Sequence, residues 1–162
     1  MKVLGFILLF VLALAAALVL AGQVGLLAGQ APADLGLHDG RLKPPSATPN
    51  SVSSQADLYP DHPQHAYARI APLPFDGDGE AAMQRLAGLV KATERCAIVT
   101  QQRDYLYAQC RTALLRFTDD VEFWWDRKAG VIQVRSASRL GQGDLGVNRA
   151  RMEKIRAQFT KN

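Results

Sequence analysis

Asp119, Asp120 and Glu122 place three carboxylates within four positions of a β-prone run, and Arg111, Arg116, Arg135, Arg139 and Arg149 surround them in the sequence with five guanidinium groups. Two carboxylates can share general acid and base work, which would make the chain a hydrolase or isomerase using Asp119 or Asp120. The same charges can instead form a structural arginine–carboxylate network. They can also frame a site for an anionic or polar ligand, with Ser136, Ser138 and Asn148 as further polar contacts and Arg111, Asp119, Asp120, Arg135, Arg139 and Arg149 as its charges. Adjacent aspartates on a strand point to opposite faces, which works against an acid–base pair. The arginines are numerous enough to neutralise all three carboxylates.

Other chemistries are poorly supplied. All three histidines, His38, His62 and His65, precede the segment that reads as the folded domain, so the usual base for a serine or cysteine nucleophile is missing there. The D-H-P-Q-H stretch from Asp61 to His65 could offer metal ligands, but a polar linker with two chance histidines is the simpler reading. Gly141, Gly143 and Gly146 spell G-x-G-x-x-G between a strand and a helix. A dinucleotide fold would need a second parallel strand ending in an acidic residue ~20 positions on, which the remaining sequence cannot supply. Asp144 would cap the helix and set a negative charge where pyrophosphate would lie. No metal and no cofactor is expected.

The elements that must position these side chains follow from periodicity. A helix begins at Asp78 or Gly79 and runs to about Val90, with Asp78 as cap and Met83, Leu86, Ala87 and Val90 on one stripe. Four β-prone runs come next: Glu94 to Thr100, Tyr105 to Leu114, Phe117 to Trp125 and Val131 to Ser138. A last helix starts near Asp144 and buries Leu145, Met152, Ile155 and Phe159. The expected fold class is α+β, a four-stranded antiparallel meander flanked by two helices (α-β-β-β-β-α), preceded by an N-terminal membrane helix or signal peptide. The domain spans 76–162, a Pro/Ser-rich linker or extended segment spans 30–75, and within it 42–56 is free to pack on the domain.

The register of the third and fourth strands can be derived. A loop of Arg127-Lys128-Ala129-Gly130 sets Asp126 opposite Val131, Trp125 opposite Ile132 and Glu122 opposite Arg135. Val121, Phe123 and Trp125 then share the core face with Ile132 and Val134, and a one-residue slip would lose this segregation. The Glu122–Arg135 pair should couple by about 0.2–1 kcal/mol, as exposed cross-strand charges do. Asp119 falls on the core side with Ser136 and Ser138. Either a bulge turns it outward, or the serines and a nearby arginine hold it. The opposite face carries Tyr105, Tyr107, Arg111, Glu122, Trp124 and Arg135. It is either a partner surface centred on Tyr107, Glu122 and Trp124 or a floor for the segment from Pro44 to Ala56.

Folding the first two strands about Gln102-Arg103-Asp104 places Gln101 opposite Tyr105, Ile98 opposite Ala108 and Cys96 opposite Cys110. The two cysteines are then either a cross-strand disulfide or two small buried apolar residues.

At the N-terminus, Val3 to Ala21 contain no polar side chain, approaching the ~20 residues that span a bilayer. Residues 1–29 are a membrane anchor or, given the lone Lys2 and the small residues near Ala21, a cleaved signal peptide. Either way the domain is placed outside the cytoplasm, single-pass at the inner membrane with a periplasmic domain or released to the periplasm. The net charge of +4 resides in the C-terminal helix: five bases against one acid from Arg149 onward, leaving fourteen against fourteen before it. That is a solvated helix face or a contact for anionic headgroups. No nucleic-acid partner is expected.

The stretches R-F-T-D-D-V-E-F (Arg116 to Phe123), R-S-A-S-R (Arg135 to Arg139), G-V-N-R (Gly146 to Arg149) and P-N-S-V-S-S-Q (Pro49 to Gln55) resemble the signatures of the bacterial and plastid family called domain of unknown function 1499. The resemblance covers roughly Leu42 to Phe159. It implies a small exported or membrane-anchored protein and assigns no activity. Relatives often carry cysteine where this chain has Ser51, and another in the preceding proline-rich segment, so any thiol role there is missing. The expected function is a non-enzymatic binding or assembly module of the cell envelope that meets another envelope protein or an anionic or polar ligand.

Overall fold

Strand alternation and one helical stripe after another account for the architecture of the computed structural model, which describes residues 2–161. Helix α1 (Lys2–Gln23) is apolar between its terminal Lys2 and Gln23 and stands away from the domain except at its C-terminal end, where Gly22 is buried. A largely irregular strap follows to β1 (Ser51–Ser53). A 3-10 turn (Ala56–Leu58), a short α2 (His65–Ala68) and β2 (Leu73–Pro74) lead into α3 (Gly79–Ala92). Then come β3 (Cys96–Gln101), β4 (Tyr105–Arg111), β5 (Thr118–Asp126), β6 (Val131–Ser138) and α4 (Val147–Phe159).

The sheet is antiparallel with order β1-β6-β5-β4-β3, and β2 also pairs with β6. It therefore has six strands rather than the expected four. The two extra ones are three and two residues long, too short to carry an alternation pattern, and both cover the free edge of β6. Asp126 opposes Val131, Trp125 opposes Ile132 and Glu122 opposes Arg135, the register derived from the turn at Gly130. In the β3–β4 pair Cys96 opposes Cys110 and Ile98 opposes Ala108, but an irregularity between Ile98 and Thr100 moves Gln101 opposite Leu106, not Tyr105.

One sheet face packs on α3 and α4. Met83, Leu86, Ala87 and Val90 of α3 meet Val121, Phe123, Ile132 and Val134 of the strands and Met152, Ile155 and Phe159 of α4. Asp78 caps α3 by accepting from the Glu80 N–H at 2.9 Å. The last helix starts at Val147, three residues later than expected, because Asp144 caps from before a loop instead of beginning the helix. Leu145 consequently leaves the helical stripe and is fully exposed, not buried.

The other sheet face lies under the strap. Leu35 and Leu42 pack on Tyr105, Tyr107 and Trp124. This covering comes from residues 29–44, which overlap the expected segment of 42–56 only at its start, through Leu42 and Pro44.

Candidate functional site

Alternation along β5 sends its three carboxylates to two faces, and each meets a different arginine. On the strap face Asp120 and Glu122 are buried, as is Asp119 on the helix face. Asp120 receives Nε of Arg139 at 2.9 Å and its terminal nitrogen at 2.7 Å, and the Tyr107 hydroxyl donates to it at 2.6 Å. Glu122 accepts from Arg135 at 3.3 Å, from the Tyr105 hydroxyl at 2.8 Å and from the Gly36 N–H at 2.8 Å. Arg135 and Arg139 also donate to strap carbonyls, those of Pro44 and Gly29, each at 3.4 Å. The strap is thus held largely through its own backbone by side chains fixed in the sheet.

Burial pushes the Tyr105 hydroxyl well above the ordinary phenol range and raises that of Tyr107, and the carboxylates they face push the same way. Burial lowers Arg135, whose Nε has no hydrogen-bond partner among the described residues, whereas hydrogen bonding to Asp120 raises Arg139. Tyr107 and Glu122 are therefore not open to solvent as a partner surface, and Trp124 is half-covered. The strap closes over them because this face carries aromatic rings that it can bury and charges that its backbone can satisfy.

On the helix face Asp119 stays in register, with no bulge to turn it outward. It is held by Arg151 at 2.5 Å. Arg151 also donates to the Ser136 hydroxyl at 3.1 Å and to Oδ1 of Asn148 at 2.8 Å. The Asn148 side-chain amide donates to the Asn50 carbonyl, to the Ser138 hydroxyl and to Asp144 at 2.8–3.0 Å. Asp144 in turn accepts from the Gly146 and Asn148 N–H groups at 3.0 Å and from the Tyr67 hydroxyl. Burial pushes the Asp144 carboxyl up, but these donors together outweigh it and hold it below the usual range. Arg149 donates to the Tyr67 carbonyl at 2.5 Å. Ser136, Ser138, Asn148 and Asp119 are thus brought together. Arg111 stands apart, exposed at the end of β4.

Sequence reasoning missed Arg151, Tyr67 and Asn50, and gave Asp144 only as a helix cap. The C-terminal bases looked like a solvated face, yet Arg149, Arg151 and Arg156 all turn inward to the domain, the last to the carbonyls of Ala71 and Pro72. A helical wheel that placed Asn148, Arg151 and Ile155 on one side would have pointed to Arg151. A cavity of about 250 Å³ lies beside this network, floored by Asp119, Ser138 and Asp144 and rimmed by Phe117, Leu140, Leu145 and Val147.

Cys96 and Cys110 are joined in a disulfide across β3 and β4. His65 pairs with Asp57 at 2.8 Å, and His62 accepts from the Gln64 N–H. Among the described residues no group of three or more His, Cys, Asp or Glu side chains is placed to hold a metal ion. The glycine-rich loop serves the turn before α4: Gly146 takes a left-handed φ of 80°, and Asp144 occupies the helix-entry N–H groups that a phosphate would need.

The family model described as "Protein of unknown function (DUF1499)" matches residues 41–159. The chain belongs to this family. The DUF1499 match runs from the end of the strap through α4 and so contains the side chains of both buried networks, while α1 and the strap backbone at Gly29 and Gly36 lie outside it. The four stretches that carry the resemblance supply most of the network: the carboxylates, Arg135, Ser136, Ser138, Arg139, Asn148, Arg149 and Asn50. No curated protein and no solved structure matches the chain.

Proposed function

We propose that the chain is a non-enzymatic binding or assembly module of the cell envelope, tethered to the inner membrane by α1 with its domain outside the cytoplasm. The observation that carries this reading is the pairing of each strand carboxylate with its own arginine inside the fold: Asp119 with Arg151, Asp120 with Arg139, Glu122 with Arg135. Acid–base chemistry needs a carboxylate free to gain and lose a proton beside a substrate. Asp119 comes nearest because it lines the cavity, but its carboxylate is already engaged by the Arg151 guanidinium and is not free for a substrate. The network serves instead to fix the strap, the β6–α4 loop and α4 to the sheet.

The 22-residue apolar helix supports an anchor, being about 33 Å long at ~1.5 Å per residue against a hydrocarbon core of ~30 Å. A cleaved signal peptide is the second reading of the same helix. The disulfide supports export, because such bonds persist in oxidising compartments. A reporter fused after the last residue should be active only outside the cytoplasm, and the protein should stay with membranes through a high-salt wash. Release with a new N-terminus near Gly22 would replace the anchor by a signal peptide. Purified full-length protein screened against ester, phosphoester and glycoside substrates tests the remainder. Turnover that is lost in a folded Asp119→Asn variant and kept in Lys128→Ala would overturn the binding reading in favour of a hydrolase.

A further inference from the structure

Outside α1, nine large apolar side chains are exposed among the described residues, and six of them crowd one end of the domain: Val24, Leu26, Leu114, Leu140, Leu145 and Val147. This is the end where β5 starts, β6 stops and α1 arrives. A side chain at Gly22 would collide with the Leu115 backbone, so the end of the helix sits directly on the β4–β5 loop. Gln23 donates to the Leu114 carbonyl at 3.2 Å and accepts from Arg116 at 3.0 Å. Six residues on, Gly29 lies against Arg139 and Leu140 of the β6–α4 loop. The apolar loop tips therefore surround the point where the helix meets the domain.

Leu145 is the most telling of them. It is fully exposed and holds a left-handed φ of 52°, a conformation unfavourable for a leucine. The left-handed backbone serves the tight turn in which the Val147 N–H donates to the Asp144 carbonyl at 3.0 Å, but the leucine side chain is left in solvent. Asp144 and Asn148, locked by Tyr67, Asn50 and Ser138, hold the tip out from behind. Strain kept in place by a rigid surround, with an apolar side chain aimed at solvent, points to a contact beyond the domain. Behind the tips stand Arg95, Arg111 and Lys154, all exposed, against Glu94, which pairs with Arg95. A set of apolar tips backed by net positive charge suits the boundary between acyl chains and anionic headgroups.

We propose that this end of the domain docks on the bilayer that α1 spans, with Leu114, Leu140 and Leu145 inserted at the headgroup boundary. The docked pose rests on the anchor reading above. The cavity floored by Asp119 and Asp144 then opens towards lipid, since Leu140, Leu145 and Val147 form its rim.

Depth-dependent quenching tests this on the full-length protein in vesicles of phosphatidylethanolamine and phosphatidylglycerol carrying an acyl-chain nitroxide. An environment-sensitive fluorophore is attached to single added thiols, L114C or L145C, while the native cysteines stay bridged and take no label. L12C, within α1, reports the anchor, and K128C, in the β5–β6 turn at the far end, reports a site away from the membrane. Docking predicts that the L114C and L145C probes lose most of their emission, as L12C does, while K128C keeps its own. Quenching of L12C alone would overturn docking and leave the anchor standing. An unquenched L12C would overturn the anchor, and the docked pose with it. Equal quenching of K128C would overturn the end-on orientation.

Discussion

Replacing Arg135 by methionine isolates what the buried pairing contributes. Arg135 and Glu122 are almost completely excluded from solvent, with side-chain exposures of 3% and 0%. Without the guanidinium, one Glu122 oxygen loses its only hydrogen-bond donor, and the other keeps Tyr105 and Gly36. An uncompensated buried charge costs about 3–5 kcal/mol, well above the 0.2–1 kcal/mol suggested by an exposed cross-strand pair. Glu122→Leu leaves Arg135 with a single long bond to the Pro44 carbonyl and should cost a similar amount. The double variant removes both charges and leaves the Tyr105 hydroxyl and the Gly36 N–H short of an acceptor, at about 1–3 kcal/mol each. It should therefore fall short of the summed singles by about 4 kcal/mol, just above the usual range for coupled neighbours. Urea unfolding of oxidised full-length protein in detergent, followed by tryptophan fluorescence, reads all three values. The exposed Arg103–Glu80 pair serves as control, with a coupling of at most about 1 kcal/mol. Additivity within about 0.5 kcal/mol, or single costs no larger than the control, would refute the buried-pair reasoning.

Three further outcomes are expected. Thiol counting on denatured, alkylated protein from the envelope should find no free thiol, and replacing both cysteines by alanine should remove about 3 kcal/mol, as for a bridge closing a loop of this length; two free thiols would discard both the bridge and the export argument. Tyr105 and Tyr107 have raised folded-state values, so the stability they contribute is complete below the ordinary phenol value of ~10 and is lost as pH rises through the folded values; denaturation midpoints measured from neutral to strongly alkaline pH should fall in that window, less steeply in Tyr107→Phe. Asp144 is lowered, so its contribution is present above the usual carboxylate range and is lost as pH falls below it, which Asp144→Asn should blunt in acid titrations of stability.

The parts of this fold readable from sequence are those whose pattern is local. The β5–β6 register followed from the Gly130 turn, two-residue alternation and the facing of Glu122 with Arg135. The cysteine pairing agrees because the irregularity between Ile98 and Thr100 offsets the one-residue error at the turn, where Gln101 faces Leu106 and not Tyr105. Long-range partners were not readable. Arg151 reaches Asp119 from 32 residues away, inside a run of bases whose charge masks its inward turn. Leu145 was assigned to a helical stripe because apolar spacing cannot reveal that Asp144 caps across a loop. The strap's attachment escaped notice because much of it runs through backbone N–H and C=O groups, which leave no mark on side-chain patterning.

The closing contacts of the domain also set an order of assembly. Gly29 waits for Arg139, 110 residues further along the chain, and β1 waits for β6. During synthesis or export the N-terminal segments emerge first, yet their partners are among the last residues to arrive. Contacts of such sequence separation form slowly, because the loop entropy must be overcome before any of them is made. The β3–β4–β5 meander can close by itself, but the edge of β5 and the acidic face of the sheet stay uncovered until β6 and Arg139 are in place. A nascent chain halted anywhere before Ser138 would thus keep its strap unattached and its strand edge open, the state in which a chaperone or protease would meet it.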